Sequence, residues 1–181
     1  MKPWRVILTG LFVLVGAEFA QAAPNVWLPT SGTNYWSENA NWSTGFAPTN
    51  GEDVIISNAT VFVLLTNSTF YLGSFTISNT ATLIFSNWNS ALSASNVTIA
   101  TGSTVTLPPA FTNFPMSNNV YFICSNLTLA AGATINVNGK GYAGFSQMNG
   151  FGEGGGSGTY GGGSYGGKGG TLGSSGLTYG S

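Results

Sequence analysis

Few side chains in this chain can do acid–base or nucleophilic chemistry, and their spacing suits it poorly. After residue 22 the acids are Glu38, Glu52, Asp53 and Glu153, the cations are Lys140 and Lys168, and there is neither His nor Arg. A Ser or Cys nucleophile needs a neighbouring base, most often His, to take its proton. Cys124, the one cysteine, has no such neighbour in the sequence. Paired carboxylates would be enough for glycoside chemistry. Glu52 and Asp53 are adjacent, however, so on a strand they point to opposite faces. Glu38 could meet Asp53 only if the segment between them folds back. Short acidic side chains readily bond local backbone, and turn and cap hydrogen bonds are the expected role of Glu38 and Asp53. Zinc needs clustered His, Cys or carboxylates, and calcium-binding glycine repeats need Asp at fixed places. The sequence supplies neither, so no metal or cofactor is expected.

Two glycine motifs look like phosphate cradles. Gly139 to Gly144 matches G-x-G-x-x-G, and Gly162 to Gly169 comes close to a P-loop. Both motifs act through the N-terminus of a following helix, and the first also needs an acid about twenty residues on. No helical pattern follows either, no such acid is present, and Gly169 stands where a Ser or Thr would hold magnesium. In a stretch this rich in Gly both matches arise by composition.

Aromatic residues are the remaining candidates. Trp27, Tyr35, Trp36, Trp42 and Trp88 have rings that stack on sugars, and Tyr35, Trp36 and Trp42 are the candidate carbohydrate-binding set. Large rings also close the open end of a stacked fold, because each buries much area. That structural use is preferred for Trp36 and Trp42, which sit among Asn39, Asn41 and Ser43.

The elements that would position these residues form a repeat. Asn96 to Leu107 (N-V-T-I-A-T-G-S-T-V-T-L) and Asn126 to Val137 (N-L-T-L-A-A-G-A-T-I-N-V) align without a gap. Ser74 to Phe85 keeps the same skeleton, and Asp53 to Val63 fits with one residue deleted in the turn. Starts at 53, 74, 96 and 126 follow. The long last interval holds Pro108, Pro109 and Pro115 and reads as an inserted loop. Strict alternation puts Val97 and Ile99 on one face and Thr98 on the other. One such unit cannot bury its own apolar face, but stacked units about 4.8 Å apart make a continuous interior. An all-β parallel β-helix, or solenoid, is therefore expected over 53–138. An antiparallel β-sandwich is the alternative, but it would need hairpin signals such as Asn-Gly. Those occur only at Asn50, Asn138 and Asn149, outside the repeated core.

Residues 1–22 read as a secretory signal peptide. Lys2 and Arg5 precede an apolar run over 6–17, and Ala20-Gln21-Ala22 is a small-x-small cleavage site. The run is too short to span a bilayer core of ~30 Å. A secreted or cell-surface chain beginning at Ala23 is expected, with no membrane span. Residues 23–52 form an aromatic-rich entry or capping segment. From Gly139 onward 19 of 43 residues are Gly, so 139–181 is expected to be a poorly ordered tail, and the whole reads as the front of a longer polypeptide. With so little positive charge, nucleic-acid binding is excluded. Cys124, with Phe122 on the same strand face, is expected to be a small buried hydrophobe. Asn-x-Ser/Thr sequons at Asn41, Asn58, Asn67, Asn96 and Asn126 arise by composition.

The run W-S-E-N-A-N-W-S-T-G-F-A-P-T-N-G-E-D-V-I-I over 36–56 resembles the entry segment of large secreted bacterial β-helix proteins. These are the autotransporter-associated β-helix repeat and pectin-lyase-like surface proteins. Asn41-Trp42, Gly45, Pro48 and Gly51-Glu52-Asp53-Val54 fill the matching places, and the passage from Ala131 into the Gly-rich stretch is similar too. The resemblance implies a right-handed β-helix. Polysaccharide lyases of this fold use an Asp cluster for calcium and a basic catalytic residue. This chain has no matching cluster and no Arg after residue 22, so that activity does not carry over. The expected function is a non-catalytic secreted or surface structural or adhesive protein, facing extracellular glycans or neighbouring surface proteins. The alternatives are a carbohydrate-binding module and an accessory part of a polysaccharide-degrading enzyme.

Overall fold

A computed structural model describes residues 22–110 and 119–143. The expectations for the export signal (1–21), for part of the inserted loop (111–118) and for most of the Gly-rich stretch (144–181) lie outside them.

The described chain is all-β. The strands are β1 (Asn25–Val26), β2 (Gly32–Tyr35), β3 (Asp53–Ile56), β4 (Val61–Leu65), β5 (Leu72–Ile77), β6 (Thr82–Phe85), β7 (Leu92–Ile99), β8 (Thr104–Thr106), β9 (Phe122–Leu129) and β10 (Thr134–Asn136). They form two five-stranded sheets, β1-β3-β5-β7-β9 and β2-β4-β6-β8-β10. Each pass of chain thus leaves one strand in each sheet. Every pairing between named strands is parallel. That pairing excludes the antiparallel sandwich. Among the described residues there is no α-helix, only a 3-10 turn at Asn39–Asn41, and no helix is long and apolar enough to cross a membrane.

The register agrees with the sequence alignment at three starts. Ser74 pairs with Asn96, and Asn96 with Asn126, while Asp53 pairs with Ser74. The deletion placed between 53 and 63 needs correcting. Ile56 faces Ile77 and Phe62 faces Thr82. Five residues, 57–61, therefore do the work that four, 78–81, do one layer on: the turn has gained a residue. Val63, not Val61, stands beside Leu83. Val61, Val63 and Leu65 are all inward and essentially unexposed. A slip of two residues along such a strand keeps every side chain on its own face, so alternation cannot detect it.

The sheets also begin earlier than the repeat pattern suggests. Asn25 and Val26 pair with Val54 and Ile55, and Gly32 to Tyr35 pair with Val61 to Leu64. A first layer thus lies inside the stretch read as an entry segment. β1 is two residues long and β2 reads G-T-N-Y, too short or too polar to show alternation.

Inward side chains from both sheets share one core. Val54, Ile56, Phe75, Ile77, Val97 and Ile99 from the first sheet meet Val63, Leu65, Leu83, Phe85 and Val105 from the second. Each such side chain stabilises the fold by roughly 1.5–3 kcal/mol when fully buried. In the last described layer the matching residues stand open: Leu127 and Leu129 are 46% and 48% exposed, against 1% and 0% for Val97 and Ile99. The other end is closed. Residues 41–43 run antiparallel beside β1, through a Trp27–Trp42 bridge and bonds from Leu28 N to Asn41 O (2.8 Å) and Ser43 N to Val26 O (2.9 Å).

Outward positions form polar ladders. Asn126 Nδ2 donates to Asn96 Oδ1 (2.9 Å), the hydroxyls of Thr104 and Thr134 lie 3.1 Å apart, and Ser74 Oγ donates to Asp53 Oδ1 (2.6 Å). Side chains matched layer on layer can bond one another, which lets a weakly charged surface stay polar.

Candidate functional site: the aromatic end and the turns

The entry segment is folded around three indoles. Trp27 and Trp42 meet edge to face at 5.0 Å, and Trp36 and Trp42 at 4.8 Å. Trp42 Nε1 donates to Trp36 O at 2.7 Å. The burial of these rings answers what they do: Trp42 is 1% exposed, Trp36 6% and Trp27 1%. Trp36 also packs on Phe75 at 6.0 Å, which ties the cluster to the core. Of the candidate carbohydrate set, only Tyr35 shows a ring to solvent, at 47%. Trp36 and Trp42 have no ring face to lend to a sugar. Both pack beside Trp27 at the β1 end of the sheets.

Why this segment folds so can be traced to its amides. Asn25 is buried, and its Nδ2 donates to Phe46 O (3.0 Å) and Glu52 Oε2 (3.3 Å). Asn41 is also buried, with Nδ2 donating to Tyr35 O (2.9 Å) and Glu38 Oε2 (3.0 Å). Asn58 Nδ2 reaches the carbonyls of Trp27, Leu28 and Pro29. A buried polar group must find partners, and here the partners are the carbonyls of an irregular turn. Sequence reasoning passed over Asn25, because a single Asn beside a Pro carries no pattern.

The carboxylates are likewise placed for structure. Glu38 accepts from Asn41, three residues on. Glu52 Oε2 accepts from Thr49 N (3.0 Å) as well as from Asn25. Asp53 accepts from Ser74. Glu52 and Asp53 line an open depression of about 840 Å3 with Gly51, Ser74 and Asn96, but Glu38 does not. Among the described residues no three His, Cys, Asp or Glu side chains are grouped to hold a metal. Cys124 is half-buried on β9 opposite Ala94 and packs against the core with Phe122.

The turns from the second sheet back to the first have a different character. They carry Phe46, Phe70, Tyr71, Trp88 and Tyr121, all exposed. A shallow groove of about 140 Å3 lies there, lined by Trp36, Pro48, Leu65, Asn67 and Phe70 among others. Comparison of the chain with protein families, with characterised proteins and with solved structures finds no match.

Proposed function

We propose that this chain is an exported, non-catalytic structural protein whose two sheets are opposite walls of a right-handed β-solenoid. The observation that carries this reading is the strand order. Odd strands lie in one sheet and even strands in the other, in sequence order, with parallel register throughout. A path that visits the two sheets in turn, and advances one strand each time, winds about a common core. Parallel crossovers are right-handed in nearly all cases, which favours that hand. Five layers at about 4.8 Å give a column of ~24 Å over the described residues. Such a column lengthens by repetition and displays a long outer surface, which suits a stalk, scaffold or adhesive.

The resemblance of residues 36–56 to the entry segment of bacterial β-helix surface proteins supports this reading, as does the export signal read in 1–22. Glu38, Glu52 and Asp53, each bonded within the fold, support a role without catalysis.

The test is expression of the full chain in its native setting, with cell fractionation and N-terminal sequencing of the product. The reading expects material outside the cytoplasm that begins at Ala23. The purified product should give a β-rich, helix-poor circular dichroism spectrum. A cytoplasmic product that retains Met1, or a helix-rich spectrum, would overturn it.

A further inference from the structure

We infer that the turns leading from the second sheet back to the first form a binding site for a neutral polysaccharide, with Phe70 and Trp88 as its stacking platforms. The starting point is a contrast between the two sets of turns. Those from the first sheet to the second at 57–60, 78–81, 100–103 and 130–133 are built of Ser, Asn, Thr, Ala and Gly and hold no ring, and the one at 27–31 holds only Trp27, which is buried. Those on the return side hold a ring in pass after pass: Phe46 is 66% exposed, Phe70 62% and Trp88 43%. Rings used for packing in this fold are buried, as Trp27 and Trp42 show. The return-side rings are not needed to fill the core, and leaving them in water opposes folding by the apolar area they expose. Adjoining exposed apolar residues of this kind mark binding surfaces.

The turns are held in place, so the rings are presented rather than merely loose. Thr69 N donates to Ala91 O (2.9 Å), Ser68 Oγ donates to Asn89 O (2.9 Å), and Ala91 N donates back to Ser68 Oγ (3.1 Å). These bonds lay the turn bearing Phe70 directly on the turn bearing Trp88. Tyr71 OH accepts from Ser95 Oγ at 3.3 Å. The groove beside Phe70 adds Asn67, an exposed amide with no hydrogen-bond partner among the described residues.

The chemistry of these turns selects the ligand class. Residues 66–71 (T-N-S-T-F-Y) and 86–91 (S-N-W-N-S-A) carry no formal charge. A nucleic acid or a charged glycan would find no counter-charge there. A neutral sugar chain offers apolar C–H faces for the rings and hydroxyls for Asn, Ser and Thr, matching a site that is mainly aromatic with a few convergent polar groups. Rings on successive layers would follow a chain laid along the stack. This site borders the indole cluster, whose Trp36 lines the same groove, but its stacking rings are the exposed ones. It rests on exposed side chains and does not depend on the export reading.

Affinity electrophoresis of the full chain tests the proposal. The gels contain, in turn, a soluble mixed-linkage β-glucan, a xylan and a galactomannan, with pectate as the anionic control. The expected result is retarded migration in at least one neutral gel and none in pectate. Phe70→Ala and Trp88→Ala should each weaken binding about tenfold, with an unchanged circular dichroism spectrum and thermal midpoint, and Trp88→Tyr should retain it. Unretarded migration in all three neutral gels would overturn the inference. Retention that survives the Phe70→Ala/Trp88→Ala double variant, or retention in pectate alone, would overturn it as well. An altered spectrum in the wild-type chain would instead count against the fold itself, so the two failures are distinguishable.

Discussion

Replacing Trp42 by Ala should unfasten one end of the molecule without dissolving the rest. The ring is buried to 1% exposure and touches both Trp27 and Trp36 edge to face. A buried indole removes roughly 200 Å2 from water, which at ~25 cal/mol/Å2 corresponds to ~5 kcal/mol as an upper bound. Truncations of buried aromatic residues to Ala cost about 3–5 kcal/mol, so a loss of about 4 kcal/mol is expected. With a denaturant slope of about 2 kcal/mol/M, the urea midpoint falls by about 2 M. Trp42→Phe keeps a ring between its neighbours but removes the Nε1 bond to Trp36 O, so its loss should be smaller than that of Trp42→Ala and include about 1 kcal/mol for the missing bond. The assay is urea unfolding followed by far-ultraviolet circular dichroism, since the substitution alters Trp fluorescence directly. Stacked layers interact only with their neighbours. Hydrogen exchange in the variant should therefore quicken in β1 and β2 while amides in β7, such as those of Val97 and Ile99, keep their protection. A loss under 1 kcal/mol would show that the indoles do not hold the end together. A loss spread evenly to β7 would refute the layer-by-layer account.

Two further substitutions probe a strand start and a turn. A Cβ added at Gly73 would lie 2.7 Å from Gly51 O and 3.0 Å from Asp53 Oδ1. The first of these is backbone and cannot step aside, so Gly73→Ala should lower stability by about 1–3 kcal/mol, as overpacking does, measured by the same urea titration. Thr80 has φ +63°, where its layer counterparts are Gly102 and Gly132 at φ +79° and +80°. A left-handed backbone costs a non-glycine residue roughly 1–2 kcal/mol, offset in part by the greater unfolded-state freedom of Gly. Thr80→Gly should thus raise the thermal midpoint by a few degrees, and a lowered midpoint would contradict the strain argument.

How much of this was legible in the sequence depends on what alternation can report. Period two marks which face a residue occupies, so Val97, Ile99, Leu83 and Phe85 could be assigned to the interior directly. The repeat of Asn96 at Asn126 marked the layer register, because identical outward residues recur where the backbone recurs. Period two is blind to a slip of two, and the turn at 57–61 was misplaced for that reason. It is also silent where strands are very short, and so β1 and β2 went unread. The candidate site was harder. Trp36 and Trp42 share a residue type with Trp88, and sequence alone offers no measure of exposure. The closed end buries the first two and leaves the third in solvent. The signal available beforehand was positional: Phe70 and Trp88 fall between repeats, in the uncharged turns, whereas Trp42 falls within a run of structural amides.

The strip at 41–43 gives the column a direction. Because it runs antiparallel along β1, the edge of the first sheet is already bonded at that strand, and a segment offered there would find its partners taken. β9 and β10 are the last strands of the two sheets among the described residues. An engineer wishing to lengthen this fold should insert new passes between existing ones, copying the 21- or 22-residue interval that separates residues 53, 74 and 96. A passenger protein fused ahead of Asn25 should leave strand pairing undisturbed.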